Sequence, residues 1–169
     1  MNFVFEPLTE QHDLSRFRSG NSMLDSYLRR EALKEQRGDL SRIFVVIDAQ
    51  ESPTRPVGFY ALKTTSYYVP LLDSLAPSGT HLWPAEIGCL ARDLSQRGKG
   101  LGGLLVMDAL RQVDRASQHI GLPGVFLNAT KEGVALYESF GFLRVDASNP
   151  DYYLPMSHVR KILQEFDTL

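Results

Sequence analysis

The order of apolar and polar positions divides the chain into segments of two different periods. Residues 2–7 alternate Phe3 and Phe5 with other neighbours, the period-two mark of a short strand. Residues 9–21 are polar and interrupted by Gly20, as a connection would be. From Ser22 onward Leu24, Leu28 and Ala32, joined by Tyr27, fall on one helical face, and Arg29, Arg30, Lys34 and Glu35 fall elsewhere. Ser22 stands where an N-cap is expected, Asp25 in the capping-box place, and Gly38 where such a helix ends. Residues 42–48 (RIFVVID) are β-branched and short, which predicts a strand buried on both faces. Residues 57–69 (VGFYALKTTSYYV) predict the next strand, paired with it as an antiparallel hairpin across the proline-bearing loop 49–56. Residues 70–79 predict another loop, and Trp83-Pro84 leads into a strand that starts at Ala85.

The second half continues the alternation. Leu101, Leu105, Ala109, Val113, Ala116 and Ile120 recur every three or four residues. This predicts a core-facing helix of about five turns, stopped by Gly121 and Pro123. Residues 124–128 (GVFLN) predict a short buried strand, parallel to the Ala85 strand through a right-handed crossover. A short helix over 130–140 ends at Gly141, and residues 142–145 with 152–154 predict a closing hairpin. The last segment, 157–166, is amphipathic over Val159, Ile162, Leu163 and Phe166.

Composition bounds the class. A chain of 169 residues predicts a single domain, 1–169, large enough for a proper core. With 43% hydrophobic and 22% charged residues, disorder is excluded as the main state. The formal net charge of −2 gives no overall argument for nucleic acid or membrane. Cys89 is the single cysteine, which excludes an internal disulfide or a cysteine-based metal cluster and suits a reducing cytoplasm. The first residues lack the basic and apolar parts of a signal peptide, and no apolar run reaches the roughly 18 residues of a membrane span.

Residues 85–103 (AEIGCLARDLSQRGKGLGG) carry the chemistry. An apolar strand meets a polar turn, then Arg97-Gly98-Lys99-Gly100-Leu101-Gly102-Gly103, and then the long helix begins. The first turn of a helix has N–H groups without intrahelical partners and a dipole that favours negative charge. Glycines let a phosphate approach without meeting a Cβ. The spacing is neither that of a P-loop nor Gly-x-Gly-x-x-Gly, and no strand–glycine-turn–helix unit opens the chain as in a Rossmann half. A glycine-rich connector without a ligand is the plain alternative, disfavoured because each glycine loses extra entropy on folding.

Read as Arg/Gln-x-x-Gly-x-Gly/Ala, Arg97 to Gly102 resembles the acyl-coenzyme A pyrophosphate loop of the GNAT N-acetyltransferases. Further on, the block 133–142 (GVALYESFGF) resembles the same family's Ala-x-x-x-Tyr-x-x-x-Gly-Phe block, with Tyr137, 40 residues after Arg97, as its tyrosine. The resemblance covers essentially the whole chain. It implies an α/β fold (α+β in some schemes): a central mixed, mostly antiparallel sheet with two adjacent parallel strands and flanking helices. It also implies acetyl-CoA as cofactor, held by Leu90, Ala91, Arg92, Arg97, Gly98, Lys99, Gly100, Leu101, Gly102, Gly103 and Asn128. Tyr137 is then the proton donor to the departing thiolate. The pattern departs from the family at Thr130 and Gly133, where Asn and Ala are frequent, so no cofactor contact is assigned to Thr130.

The reaction itself sets requirements. An amine attacks an acyl thioester, an oxyanion forms and a thiolate leaves, so the protein must orient two reactants and offer N–H donors. A proton donor near the sulfur typically contributes about 10²–10⁴-fold. A phenol, with an ordinary pKa near about 10, is of the right type. Packing in the core is the other reading of Tyr137. Glu86 and Asp93 are candidate general bases, although both are read first as ordinary surface carboxylates. His12, His81, His119 and His158 show no metal or triad spacing, Ser95 lacks a nucleophile elbow, and Cys89 reads as a core thiol.

For the acceptor, Phe17 to Leu28 with the two strands after it is similar to the toxin-type GNATs. These acetylate the α-amine of aminoacyl-tRNA and pair with a ribbon-helix-helix antitoxin. From Arg16 to Arg42 there are seven basic residues (16, 18, 29, 30, 34, 37, 42) and four acidic ones, a local excess that suits phosphate contact. A solvated helix face is the other reading of those charges. Such toxins tend to be basic overall, and Cys89 and Arg92 stand where the subgroup usually has Arg and an apolar residue. A small amine, a protein amine and aminoacyl-tRNA therefore stay open as acceptors, with a homodimer also open. A non-catalytic acyl-CoA-binding protein is the reading of another class.

Overall fold

The computed structural model describes residues 2–68, 81–145 and 147–168. The first half contains β1 (Phe3–Pro7), α1 (Ser22–Arg30), α2 (Ala32–Arg37), β2 (Arg42–Asp48) and β3 (Pro56–Thr64). Then come β4 (Tyr67–Tyr68), β5 (His81–Leu82), β6 (Ala85–Arg92), a 3-10 turn (Leu94–Gln96) and α3 (Leu101–Ser117). The chain finishes with β7 (Gly124–Asn128), α4 (Val134–Ser139), β8 (Leu143–Arg144), β9 (Asp151–Pro155) and α5 (Met156–Asp167). Seven strands form one mixed sheet in the order β1-β2-β3-β6-β7-β9-β8, and β4 pairs with β5 in a separate ribbon. The expected hairpin of β2 and β3 is present, antiparallel from Arg42↔Leu62, with a register shift between Val46 and Ile47. The expected parallel pair is β6 with β7, at Ala85↔Val125 and Glu86↔Phe126. The strand expected over 57–69 ends at Thr64; its last residue and the loop 70–79 lie outside the described residues.

The chain divides into two compact units. In the unit Met1–Lys63 with Gly88–Asp108, Phe17, Leu28, Ala32, Ile43, Val45, Phe59 and Ala91 form a closed apolar cluster. Phe17 meets the Phe59 ring edge-on at 5.6 Å. Burying each such large side chain contributes roughly 1.5–3 kcal/mol. The helix that precedes β2 differs from expectation in four ways. Its N-cap is Asn21, whose Oδ1 accepts from Met23 N at 3.0 Å and Leu24 N at 3.3 Å, so Ser22 is already helical. Asp25 is buried and accepts from Ser19 N–H (2.8 Å) and Ser19 O–H (2.6 Å), fixing the preceding loop instead of closing a capping box. The helix also bends at Glu31 (φ −113°) into α1 and α2. The side chain of Gln36 draws α2 to β2, donating to Leu8 O (2.6 Å) and accepting from Ile43 N (3.0 Å). Asp39, not Gly38, takes the left-handed position (φ +58°), and Leu40 N–H reaches back to Glu35 O at 2.9 Å.

In the unit Thr64–Ile87 with Ala109–Leu169, β9 pairs with β7 from Gly124↔Pro155 to Asn128↔Asp151, and α5 packs on both. Val159 and Leu163 are buried as the pattern predicts, and so is Met156 just ahead of it, whereas Ile162 is half-buried and Phe166 is 52% exposed near the end of α5. Ile120 is also outside the core, 61% exposed, because α3 ends at Ser117. There the Ser117 hydroxyl donates to Asp114 O at 2.7 Å and competes with the helical ladder. The helix expected over 130–140 is shorter, since 130–133 form a turn before α4.

Candidate active site

The candidate cofactor turn grows from the end of β6. Asp93 N–H donates to Val57 O at 2.8 Å, holding the strand end against β3. Asp93 Oδ1 then accepts from Ser95 N (2.9 Å) and Oδ2 from Arg18 N (2.9 Å). This carboxylate caps the 3-10 turn and joins it to the chain ahead of α1. Burial would push its pKa up, but the hydrogen bonds from Ser95 and Arg18 outweigh burial and hold it below the ordinary value. Asp93 is 4% exposed, so it is not a surface carboxylate. With both oxygens accepting N–H groups and a lowered pKa, it is also unsuited to act as a base. The Asp-x-Ser pattern of a cap was the sequence signal for this role.

The turn that follows has a particular backbone. Gly98 and Gly100 lie at φ +76° and +77°, and a Cβ built on either would meet nothing within 4 Å. The N–H groups of Gly98, Gly100, Leu101 and Gly102 have no acceptor among the described residues, while Gly103 and Leu104 N–H turn back to Gly100 O. Four donors in an open turn, at the start of a 17-residue helix with no acidic residue in its first turn, suit a pyrophosphate. Arg97 and Lys99 are exposed beside them. On β6 Cys89 and Ala91 pack on the apolar cluster, so Leu90 and Arg92 project to the other face.

The unit that holds α4 and β7 carries the remaining candidate residues. Tyr137 lies on α4, 8% exposed, with Phe142 edge-on at 5.8 Å. A Cβ at Gly133 would lie 2.9 Å from Tyr137 Cε2, so the ring occupies the space that the family's frequent alanine would take. That departure from the family pattern thus has a local reason. Asn128, at the exposed end of β7, donates from Nδ2 to Asp151 Oδ1 at 2.8 Å. Glu86 is half-buried on β6 opposite Phe126. No cluster of His, Cys, Asp and Glu able to hold a metal occurs among the described residues.

Because the pKa of Asp93 is depressed on folding, its contribution is present above about pH 4 and is lost as pH falls through the lower folded value. Asp93→Asn should cost about 1–2 kcal/mol at neutral pH. It should also flatten the acid limb of the stability curve. Chemical denaturation at pH 7 and pH 3 checks this, and equal losses at both pH values would refute it.

No family model matches the chain. A Sinorhizobium fredii protein named probable toxin TacT is 28% identical over 95% of this chain and 94% of its own length. A Mycobacterium tuberculosis protein named tRNA-acetylating toxin is 33% identical over 80% of this chain and 81% of its own length. A solved Tyr-to-Phe mutant of KacT superposes with a TM-score of 0.87 at 23% identity, covering 96% of this chain and 99% of that one. AtaT complexed with acetyl-methionyl-tRNAfMet gives 0.83 at 24% identity, covering 95% and 99%. A Tyr-to-Phe AtaT mutant bound to acetyl-CoA and the C-terminus of the antitoxin AtaR gives 0.81 at 23%, covering 96% and 98%. A relative one-third identical over four-fifths of both lengths, on a shared mixed-sheet fold, makes this chain a member of the GNAT N-acetyltransferases, in the family of the tRNA-acetylating toxins.

Proposed function

We propose that the protein is an acetyl-CoA-dependent N-acetyltransferase of one domain, 1–169, whose acceptor is the α-amine of an aminoacyl-tRNA. The observation that carries the acetyltransferase reading is the turn at 97–103, with four N–H donors and two left-handed glycines. The acceptor reading is supported by the relative named for acetylating tRNA. Acetyl-CoA supplies an activated acyl thioester when bound. The N–H groups of Gly98, Gly100, Leu101 and Gly102 hold the pyrophosphate, Arg97 and Lys99 add charge, Gly103 completes the first turn of α3, and Leu90, Ala91 and Arg92 carry the neighbouring part of the cofactor. Asn128 orients the cofactor from the end of β7. Tyr137 donates its hydroxyl proton to the leaving sulfur, and the amine loses its own to solvent or to Glu86.

The cytoplasm, where charged tRNA and acetyl-CoA meet, is the proposed compartment, and no described helix is long and apolar enough to cross a membrane. An antitoxin of the ribbon-helix-helix kind is the proposed protein partner; a solved neighbour is bound to the C-terminus of an antitoxin, AtaR. A homodimer completes the proposal.

The test is acetyl transfer from labelled acetyl-CoA to charged tRNA, bulk protein, polyamines and amino acids at two salt concentrations. Label on tRNA that falls steeply with salt is expected, because each phosphate contact adds to the salt slope. Label on small amines at both salts would overturn the acceptor, and no release of thiol with any amine would leave a binding protein.

A further inference from the structure

Seven basic residues between Arg16 and Arg42 look alike in the sequence, but the fold treats them differently. Arg37 is paired with Glu10, Arg42 with Asp39 (2.7 Å) and Lys34 with Glu31 (3.3 Å). Arg18 and Arg29 meet no carboxylate among the described residues, and both are exposed. Instead they share one acceptor. Arg18 Nη1 donates to Phe17 O at 2.9 Å and to Ser15 O at 3.2 Å, and Arg29 Nη1 donates to the same Phe17 O at 3.0 Å. Two guanidinium groups are thereby drawn to a single carbonyl with no acid between them. Their repulsion disfavours the arrangement unless an anion joins it.

The nearby carboxylates are already engaged. Asp93 accepts from Ser95 N and Arg18 N, and Asp25 accepts from Ser19 N–H and O–H. Each guanidinium has five N–H donors, and only Nη1 is used on either side chain. The remaining Nε and Nη2 donors form the forks that match phosphate oxygens. The position is fixed as well. Phe17 is fully buried, and Leu94 N–H donates to Arg18 O at 2.8 Å, which ties this pair to the root of the turn that leads into 97–103.

We infer that Arg18 and Arg29, which unlike the exposed Arg16 and Arg30 are held together on one carbonyl, form a phosphate clamp for the RNA backbone of the acceptor. This rests on the tRNA reading above. The ligand chemistry is a phosphate oxygen pair; the other source of it is the 3′-phosphate of coenzyme A, and the experiment separates the two.

Binding of uncharged tRNA is measured by fluorescence anisotropy between about 50 and 200 mM salt, for the wild type, Arg18→Ala, Arg29→Ala and the double variant. Arg37→Ala and Arg42→Ala serve as paired-arginine controls. Each clamp variant should lower the salt slope by about 1, and the double variant should bind tRNA at least about tenfold more weakly. The controls should keep the wild-type slope. Arg18→Lys and Arg29→Lys, which keep the charge but lose the fork, should recover the slope and not the affinity. Acetyl-CoA affinity of the same variants, by calorimetry, should stay within about twofold and reports that the fold is retained. An unchanged slope in the double variant, or an equal loss in Arg37→Ala, would overturn the clamp. A weakened acetyl-CoA affinity with an unchanged RNA slope would also overturn it, assigning the pair to the cofactor. If the slope depends on the pair but charged tRNA takes no label, the clamp stands and the acceptor reading falls.

Discussion

Gly100→Val is expected to weaken acetyl-CoA binding by about 10²–10⁴-fold. The estimate comes from losing two charge-assisted hydrogen bonds, each about 1.5–3 kcal/mol. Position 100 has φ +77°, where a β-branched residue is strained by roughly 1–3 kcal/mol. The backbone would rotate to relieve that strain and reorient the Gly100 and Leu101 N–H groups. A Cβ there meets no protein atom within 4 Å, so crowding inside the protein is not the cause. The branched side chain would stand instead in the space through which a phosphate approaches. Because 97–103 is an exposed turn, the core should survive. Calorimetric titration with acetyl-CoA, alongside circular dichroism, measures both parts. A wild-type affinity in a folded variant would remove the turn from the cofactor site.

Tyr137→Phe is expected to lower turnover by about ten- to a thousandfold, the range of a general acid. The substitution deletes one oxygen and leaves the ring against Phe142 and over Gly133, so packing is nearly conserved. Acetyl-CoA affinity should remain near the wild type, which separates this loss from that of Gly100→Val. The fall should appear in kcat and in kcat/KM equally, the sign of an interaction made only in the transition state. Turnover equal to the wild type would make Tyr137 a packing residue and leave water as the proton donor.

Several features of this fold were legible because their determinants are local. The spans of β2 and β7 are marked by short β-branched or apolar runs between breakers, and they are found at 42–48 and 124–128. The strand–glycine-turn–helix order at 85–103 was readable for the same reason, since left-handed φ at Gly98 and Gly100 is a property of glycine itself. The block around Tyr137 is likewise contiguous in the chain. Helix ends were less legible, because Asn21 and Ser22 are both good caps and the choice rests on which side chain reaches the Met23 and Leu24 N–H groups.

The sequence by itself thus determined the order of the main elements, the glycine turn at 97–103 and the helical place of Tyr137. Tertiary structure decided what the charged residues do. Asp93 became a buried cap because Arg18, 75 residues away, supplies the second N–H. Gly133 became the counterpart of a tyrosine ring one helical turn ahead. Among seven similar basic residues, Arg37, Arg42 and Lys34 were neutralised while Arg18 and Arg29 were gathered on one carbonyl. The reason is physical: periodicity and backbone preference act over a few residues, whereas the partner of a charge is set by which distant segments the core brings together.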